Sequence, residues 1–342
     1  MRVLRFFLFP LSIVYMLVTS IRNLCFDLGL FHSKTYDVPS LGIGNLTVGG
    51  TGKSVAISYF INEFMSAYPI TVLSRGYGRL SKGYQLADAH STAETIGDEP
   101  MMFLNSFPTI RIAVANQRRE GMKQLLSDSH QPKGSVFLWD DCFQHRWVKP
   151  KVMILLTTFS KPYTKDFLLP VGQLRELSEG AQRADVIIVT KCPKDISEGQ
   201  KKVVQQQLQL KRHQSLFFAT ILYSDNMYNR DRSLPLNMLE KVPFLLVTGI
   251  ADPKLLVDYL NGKFLNYEHL AFSDHHLFST KDIKRIREKS NGCVVLTTEK
   301  DYVRLRSKFD SELLFYLPIK MKILDERAAE LHALVSKKMG LH

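Results

Sequence analysis

The stretch Thr47-Val48-Gly49-Gly50-Thr51-Gly52-Lys53-Ser54 decides how the rest of the chain is read. It follows an apolar run at 39–46 that reads as a short strand. It precedes Val55, Ile57, Tyr59, Phe60, Ile61 and Phe64, whose spacing predicts a helix. Small residues let consecutive backbone N–H groups turn toward phosphate oxygens, a lysine reaches the β and γ phosphates, and the hydroxyl after it can ligate Mg2+. The following helix adds its positive N-terminal end. Thr47, Val48, Gly49, Gly50, Thr51, Gly52, Lys53 and Ser54 are therefore the expected phosphate cradle, with ATP and Mg2+ as ligands. One position departs from G-x-x-x-x-G-K-[ST]: the first glycine would stand where the chain has Thr47.

A cradle of this kind needs an acidic strand end nearby. The run Val136-Phe137-Leu138-Trp139 ends in Asp140-Asp141, carboxylates that can hold Mg2+ directly or through water. A guanine-reading turn would be Asn/Thr-Lys-x-Asp after a strand. Val186–Val189 leads instead into Thr190-Lys191-Cys192-Pro193, with proline in place of the aspartate, which favours adenine.

The sheet is legible from further apolar runs at 70–73, 110–115, 136–139, 152–156 and 186–189, with helical patterns between several of them. That alternation predicts an α/β fold: a P-loop NTPase-like parallel sheet with helices on both faces. The pattern changes near residue 214. Two aromatic-rich runs, 216–223 and 313–319, flank strands at 244–248 and 294–298 and helices near 254–260 and 281–289. The expected organisation is a kinase-like ATP domain over 33–213 and a smaller second α/β lobe over 224–311. A two-stranded β-ribbon made of 214–223 and 312–324 joins them, and a C-terminal helix within 325–342 returns to the first lobe.

Charge and cysteines narrow the partners. The chain of 342 residues has 45 Lys plus Arg against 33 Asp plus Glu, a net charge of +12, which favours an anionic partner. The basic residues form no long block, and no RNA-recognition, zinc-finger or basic-zipper pattern is present, so no nucleic acid is expected. Cys25, Cys142, Cys192 and Cys293 are far apart, which supports neither a disulfide framework nor a thiolate zinc site. Phe6 to Ile21 is free of charge, with Arg2 and Arg5 before it and Arg22 after it. At 16 residues it is short for a span, which needs about 20. Residues 1–32 are expected to form one or two helices lying in the interface of an anionic membrane; a core helix and a single span are the competing readings.

Several further strings belong together. GNLTVGGTGKS (44–54), LSRGYGR (73–79), GDEP (97–100), DDCFQHR (140–146), LLPVGQLRE (168–176), VTKCP (189–193), VTGIADP (247–253), FSDHH (272–276) and TTEKD (297–301) run in order over nearly the whole chain. In this the chain resembles the tetraacyldisaccharide 4'-kinase (lipid A 4'-kinase) family. The resemblance implies transfer of the ATP γ-phosphate to the 4'-hydroxyl of a tetraacyl glucosamine disaccharide 1-phosphate, at the cytoplasmic face of the bacterial inner membrane. The implied partners are that glycolipid and the membrane surface, with no obligate protein partner.

By the same resemblance, Lys53 and Ser54 hold phosphates and Mg2+, and Asp140 and Asp141 hold the metal. Asp98 accepts the proton of the attacking hydroxyl, paired with His275 from the second lobe, while Glu99 orients metal or water. Arg118 and Arg175 are candidates for phosphate-charge stabilisation, and Gln144 supports from behind. From the residues alone, Asp98 and Glu99 could equally cap a helix near Pro100, His275 and His276 could be exposed loop histidines, and Glu299, Lys300 and Asp301 could be a charged first helical turn. Cys142 stands where relatives usually have glycine. The competing function is a P-loop ATPase acting as a partner-regulated switch or metallochaperone at the membrane.

Overall fold

Strand Ser40–Asn45 is buried along its whole length and lies near the middle of a nine-stranded sheet. Across that sheet the order is Ile319–Ile323, Ser215–Tyr223, Val186–Thr190, Val152–Thr158, Ser40–Asn45, Val136–Trp139, Ile70–Ser74, Arg111–Val114 and Gln85–Leu86. The seven inner strands run parallel and only the two edges are antiparallel. The structure, a computed structural model, describes residues 7–309 and 311–341. Strands on both sides of Ser40–Asn45 diverge from it in chain order, so the crevice at its carboxyl end is where such sheets bind ligands.

Both faces are covered. Helix Lys53–Phe64 buries Ala56, Ile57, Phe60, Ile61 and Phe64, and helix Ala328–Met339 buries Leu331, Val335 and Met339 in the same apolar cluster. The C-terminal helix thus packs on the core of the first sheet. The other face is closed by Leu155, Ile187, Val189, Val204 and Leu208, with Tyr15 and Met16 of the N-terminal helix packed against them. Full burial on both faces explains why the strands read as continuous apolar runs rather than alternations.

The second lobe is a six-stranded sheet, in the order Ser233–Pro235, Asn226–Tyr228, Leu314–Leu317, Val294–Thr298, Phe244–Thr248 and Tyr267–Ala271. The two runs that connect the lobes also belong to the sheets. Ser215–Phe218 pairs in parallel with Val186–Val189, so the outgoing strand is part of the first sheet. The returning run splits at Pro318: Leu314–Leu317 pairs with Val295–Thr298 in the second sheet, and Ile319–Ile323 pairs with Ala219–Tyr223 in the first. Proline lacks the N–H a central strand needs, which suits a change of sheet at that position.

One helix, Phe9–Asp27, occupies the apolar N-terminal segment; at about 1.5 Å per residue it is roughly 28 Å long. It is long and apolar enough to cross a membrane. Phe9, Leu11, Ile13, Val14, Leu17, Val18, Ile21 and Leu24 are exposed on it. Arg2 and Arg5 lie outside the described residues.

Candidate active site

The carboxyl ends of the parallel strands collect the expected chemistry. After strand Ser40–Asn45, Gly49 and Gly52 take φ of 115° and 88°, values that strain any side chain. Gly52 is the N-cap of helix Lys53–Phe64, and no side chain closes the first turn, so its N–H groups are left for an anion. The loop is pinned from three directions. Asn45 Nδ2 donates to Thr51 Oγ1 at 2.8 Å, Thr190 Oγ1 to the Thr51 carbonyl at 2.8 Å, and the Val48 N–H to the Gln173 carbonyl at 2.8 Å. Thr47 pairs with Leu174 as an isolated bridge. Lys53 Nζ lies 3.4 Å from Asn45 Oδ1 and 3.8 Å from Asp141 Oδ1.

Asp140 and Asp141 leave the same strand end in different environments. Asp141 takes φ 42° and turns out to Arg175, which donates through both terminal nitrogens at 2.9 and 3.2 Å. Burial alone would raise its carboxyl, but Lys53 and Arg175 outweigh burial and hold it well below the usual range. Asp140 is 1% exposed. Ser74 Oγ donates to its Oδ2 at 2.9 Å, while its Oδ1 is buried with no partner. Burial first, then the charges of Glu99 and Asp141, push it up to about 7. Glu99 faces the same space: Ser54 Oγ donates to its Oε1 at 2.8 Å and Lys300 Nζ at 3.1 Å. Burial opposes its ionisation, but Lys300 and Lys53 hold its carboxyl below the usual value.

This donor set fits Mg2+. It is all oxygen, and it contains an orphaned carboxylate oxygen on Asp140. Among the described residues no three metal-binding side chains converge into a protein-only cage. Mg2+ rarely uses one, since it is usually shared with phosphates and water.

Arg118 is placed differently from expectation. It is 2% exposed, and its guanidinium donates to the carbonyls of Ala115 at 3.0 Å and Asp140 at 2.5 Å. It braces the strand end from beneath instead of facing the crevice, because its helix, Arg118–Ser127, starts under that end. Gln144 also lies behind the loop, donating to the Asn45 carbonyl at 3.0 Å and to Glu176 at 3.1 Å.

The second lobe closes over this crevice. Helix Asp98–Ser106 starts at Gly97, whose φ is 95° and where a Cβ would come within 3.0 Å of the Gly76 backbone. The glycine of GDEP thus allows the helix start to abut the Gly76–Tyr77 loop. Asp98 Oδ2 receives Arg304 Nε at 2.7 Å and faces His275 Nδ1 at 3.4 Å. Burial would raise the Asp98 carboxyl; His275 and Arg304 together hold it below its ordinary value. Lys300 Nζ is 3.3 Å from His275 Nε2. An ammonium has only donors, so Nε2 is the acceptor there and the ring proton sits on Nδ1, pointing at Asp98. The edge of the Tyr77 ring packs against His275, with centroids 5.1 Å apart.

Beside Ser54 a cavity of about 170 Å³ opens between the lobes, with Val55, Tyr223, Ile250, Leu256 and Leu317 in its walls and Lys191 at its edge. Lys191, considered from sequence only for base reading, has its Nζ 3.8 Å from where a Cβ on Gly50 would stand. Nothing in the sequence marks Arg304, Lys191 or Asn45 individually as a site residue, and Lys300 reads from sequence as part of a charged first helical turn. GNLTVGGTGKS, VTKCP and TTEKD contain Asn45, Lys191 and Lys300; Arg304 lies in none of the quoted strings.

The N-terminal helix reaches the same region. Ser12 Oγ donates to the Leu168 and Leu169 carbonyls at 3.1 and 3.0 Å, Tyr15 to the Arg175 carbonyl at 2.8 Å, Arg22 to the Gln144 carbonyl at 2.6 Å, and Asn23 to Glu176 at 2.7 Å. The helix therefore buttresses the segment that carries Arg175.

Comparison with known proteins points to one family. The family model described as tetraacyldisaccharide-1-P 4'-kinase matches residues 4–339. A tetraacyldisaccharide 4'-kinase of Flavobacterium johnsoniae is 45% identical over 328 residues, covering 96% of this chain and 95% of that protein. One from Bacteroides thetaiotaomicron is 40% identical over 340 residues, covering 94% and 89%. Among solved structures, that of LpxK from Aquifex aeolicus in complex with ATP superposes with a TM-score of 0.78 at 27% identity, covering 98% of this chain and 99% of that one.

Proposed function

The chain belongs to the tetraacyldisaccharide-1-P 4'-kinase family, and on that premise we propose that the crevice between its two sheets is the phosphoryl-transfer site. The chain is an ATP-dependent kinase of lipid A biosynthesis, which moves the γ-phosphate of ATP to the 4'-hydroxyl of a tetraacyl disaccharide 1-phosphate. The reading as a partner-regulated ATPase or metallochaperone is not favoured.

In the proposed site, the backbone of 47–52 and the first turn of the following helix wrap the β and γ phosphates, with Lys53 on the transferring group. The base of ATP enters the apolar cavity beside Ser54, with Lys191 at its edge. Ser54, Asp140, Asp141 and Glu99 hold Mg2+, which when bound neutralises charge on the phosphate oxygens. Arg175 fixes Asp141, and Arg118 acts as a brace under Asp140. Asp98 takes the proton of the 4'-hydroxyl as that oxygen attacks phosphorus, and His275 Nδ1–H steadies the carboxylate. The lobes must meet for this pair to exist, so closure assembles the site. The exposed apolar face of helix Phe9–Asp27 docks on the cytoplasmic face of the inner membrane, where the acyl chains of the acceptor are held. The surplus of basic residues favours an anionic surface and an anionic acceptor.

The observation that carries these roles is the contact of His275 with Asp98, 177 residues apart, beside the phosphate loop. Transfer of label from γ-labelled ATP to a disaccharide 1-phosphate in micelles is the test. Asp98→Ala and His275→Ala should each lower kcat far more than they raise the KM for ATP, and the double variant should be less damaged than the product of the two. Multiplicative losses would show that the two residues do not act as a unit.

A further inference from the structure

Asp98 can act as proton acceptor only if its carboxylate is held with one oxygen free. Carboxylate χ2 is broad and roughly two-fold, so a single long contact does not fix it. His275 provides such a contact, 3.4 Å away and with a side chain 32% exposed. Arg304 provides a stronger one: Nε is 2.7 Å from the same oxygen, Oδ2, and its side chain is 4% exposed. Arg304 is itself held from the other side. Its Nη1 donates to Asp301 Oδ1 at 3.1 Å and to the Gly249 carbonyl at 3.3 Å. Asp301, fully buried, in turn accepts from the Gly249 N–H at 2.9 Å and Thr298 Oγ1 at 2.7 Å. Among the described residues Asp98 Oδ1 has no hydrogen-bond partner, so it is the oxygen left for a substrate hydroxyl.

We infer that Arg304 is a positioning residue for phosphoryl transfer: its Nε clamps Asp98 Oδ2 so that Oδ1 faces the acceptor hydroxyl. The inference rests on the reading of Asp98 as proton acceptor and adds to it the group that orients it. Arg304 lies on helix Glu299–Leu305 of the second lobe and Asp98 on the first, so opening the lobes would free the carboxylate to rotate. Orientation of the base thereby becomes conditional on closure. Arginine suits the position because one rigid fork serves three acceptors, Asp98, Asp301 and Gly249, at fixed angles. A lysine ammonium is a single point on a flexible stem and cannot reproduce that geometry.

The test uses the full chain with Arg304→Lys, Arg304→Ala and, as a control, Asp98→Asn, each checked for folding by its thermal melt. Arg304→Lys keeps a cation beside the buried Asp301, so it remains informative where Arg304→Ala does not fold. A misplaced catalytic group costs up to about 100-fold in rate. Arg304→Lys is expected to lower kcat about 10- to 100-fold with the KM for ATP nearly unchanged. Arg304→Ala should lose more, and added methylguanidinium should restore part of its kcat while leaving wild type and Asp98→Asn unaffected. Wild-type kcat in a folded Arg304→Lys protein would overturn the inference, as would a loss confined to KM, or a folded Arg304→Ala protein that methylguanidinium does not rescue. Each of these would leave Arg304 as a clamp between lobes only. Full activity in Asp98→Asn would instead overturn the reading of Asp98 itself.

Discussion

Replacing Asp140 with asparagine should stabilise the nucleotide-free, Mg2+-free protein at alkaline pH while stopping phosphoryl transfer. Asp140 is 1% exposed and has one buried oxygen without a partner. Burial, then Glu99 and Asp141, raise its carboxyl from an ordinary 3.8 to about 7. In the folded chain it therefore holds its proton over a window in which the unfolded chain has lost it. Where the native state binds more protons, stability falls as pH rises. The cost is absent below about pH 4, grows through the window and is complete above about pH 7. At about 1.4 kcal/mol per tenfold change in proton affinity, the move from 3.8 to about 7 sets a ceiling of about 4 kcal/mol. Lys53 and the shared charge of Glu99 and Asp141 reduce what one substitution can recover, so about 2 kcal/mol is the working expectation. Asparagine keeps an oxygen for Ser74 and carries no charge to desolvate. The assay is urea unfolding of wild type and Asp140→Asn in the presence of chelator, at about pH 5 and about pH 8. The variant should gain most at the higher pH and less than half of that at the lower. An equal difference at both pH values, or a variant less stable at the higher pH, would refute the reasoning. Saturating Mg2+ should shrink the gap, because binding to the native wild type offsets the same charge.

Lys53→Ala should leave the fold intact and lower kcat by two or more orders of magnitude, since a lost charge on the transferring phosphate costs roughly 3–4 kcal/mol; single-turnover label transfer measures it, and near-normal transfer would remove the phosphate loop from the mechanism. Deleting residues 1–32 should release the protein from anionic vesicles. It should also weaken ATP binding, because Tyr15 and Asn23 hold the segment carrying Arg175 and Glu176; unchanged ATP affinity in a folded truncation would show that the helix is only an anchor. High salt should mimic the vesicle effect alone, as screening acts within about 10 Å at 0.1 M.

Much of this protein is written locally in its sequence. The phosphate loop is legible because its requirements, two glycines at positive φ and a lysine and serine at the helix start, fall within eight consecutive residues. The parallel sheet is legible because strands buried on both faces must be apolar along their length, as at Val136–Trp139 and Val186–Thr190. The proposed pairing of Asp98 with His275 follows from the resemblance alone: nothing in GDEP or SDHH by itself separates a helix-capping carboxylate and a loop histidine from a catalytic pair. Tertiary structure decided the rest. Arg118 looks from sequence like a cation for phosphate, but the start of its helix lies under the Asp140 strand end and buries it. The run 313–319 looks like one strand, but Pro318 lets the chain change sheets. Arg304 meets Asp98 across 206 residues and Tyr15 meets Arg175 across 160. Such contacts leave no periodicity or spacing to read. The first exists because two sheets, each specified by its own apolar pattern, bring side chains together at an edge that neither pattern describes; the second exists because the N-terminal helix packs on the first sheet.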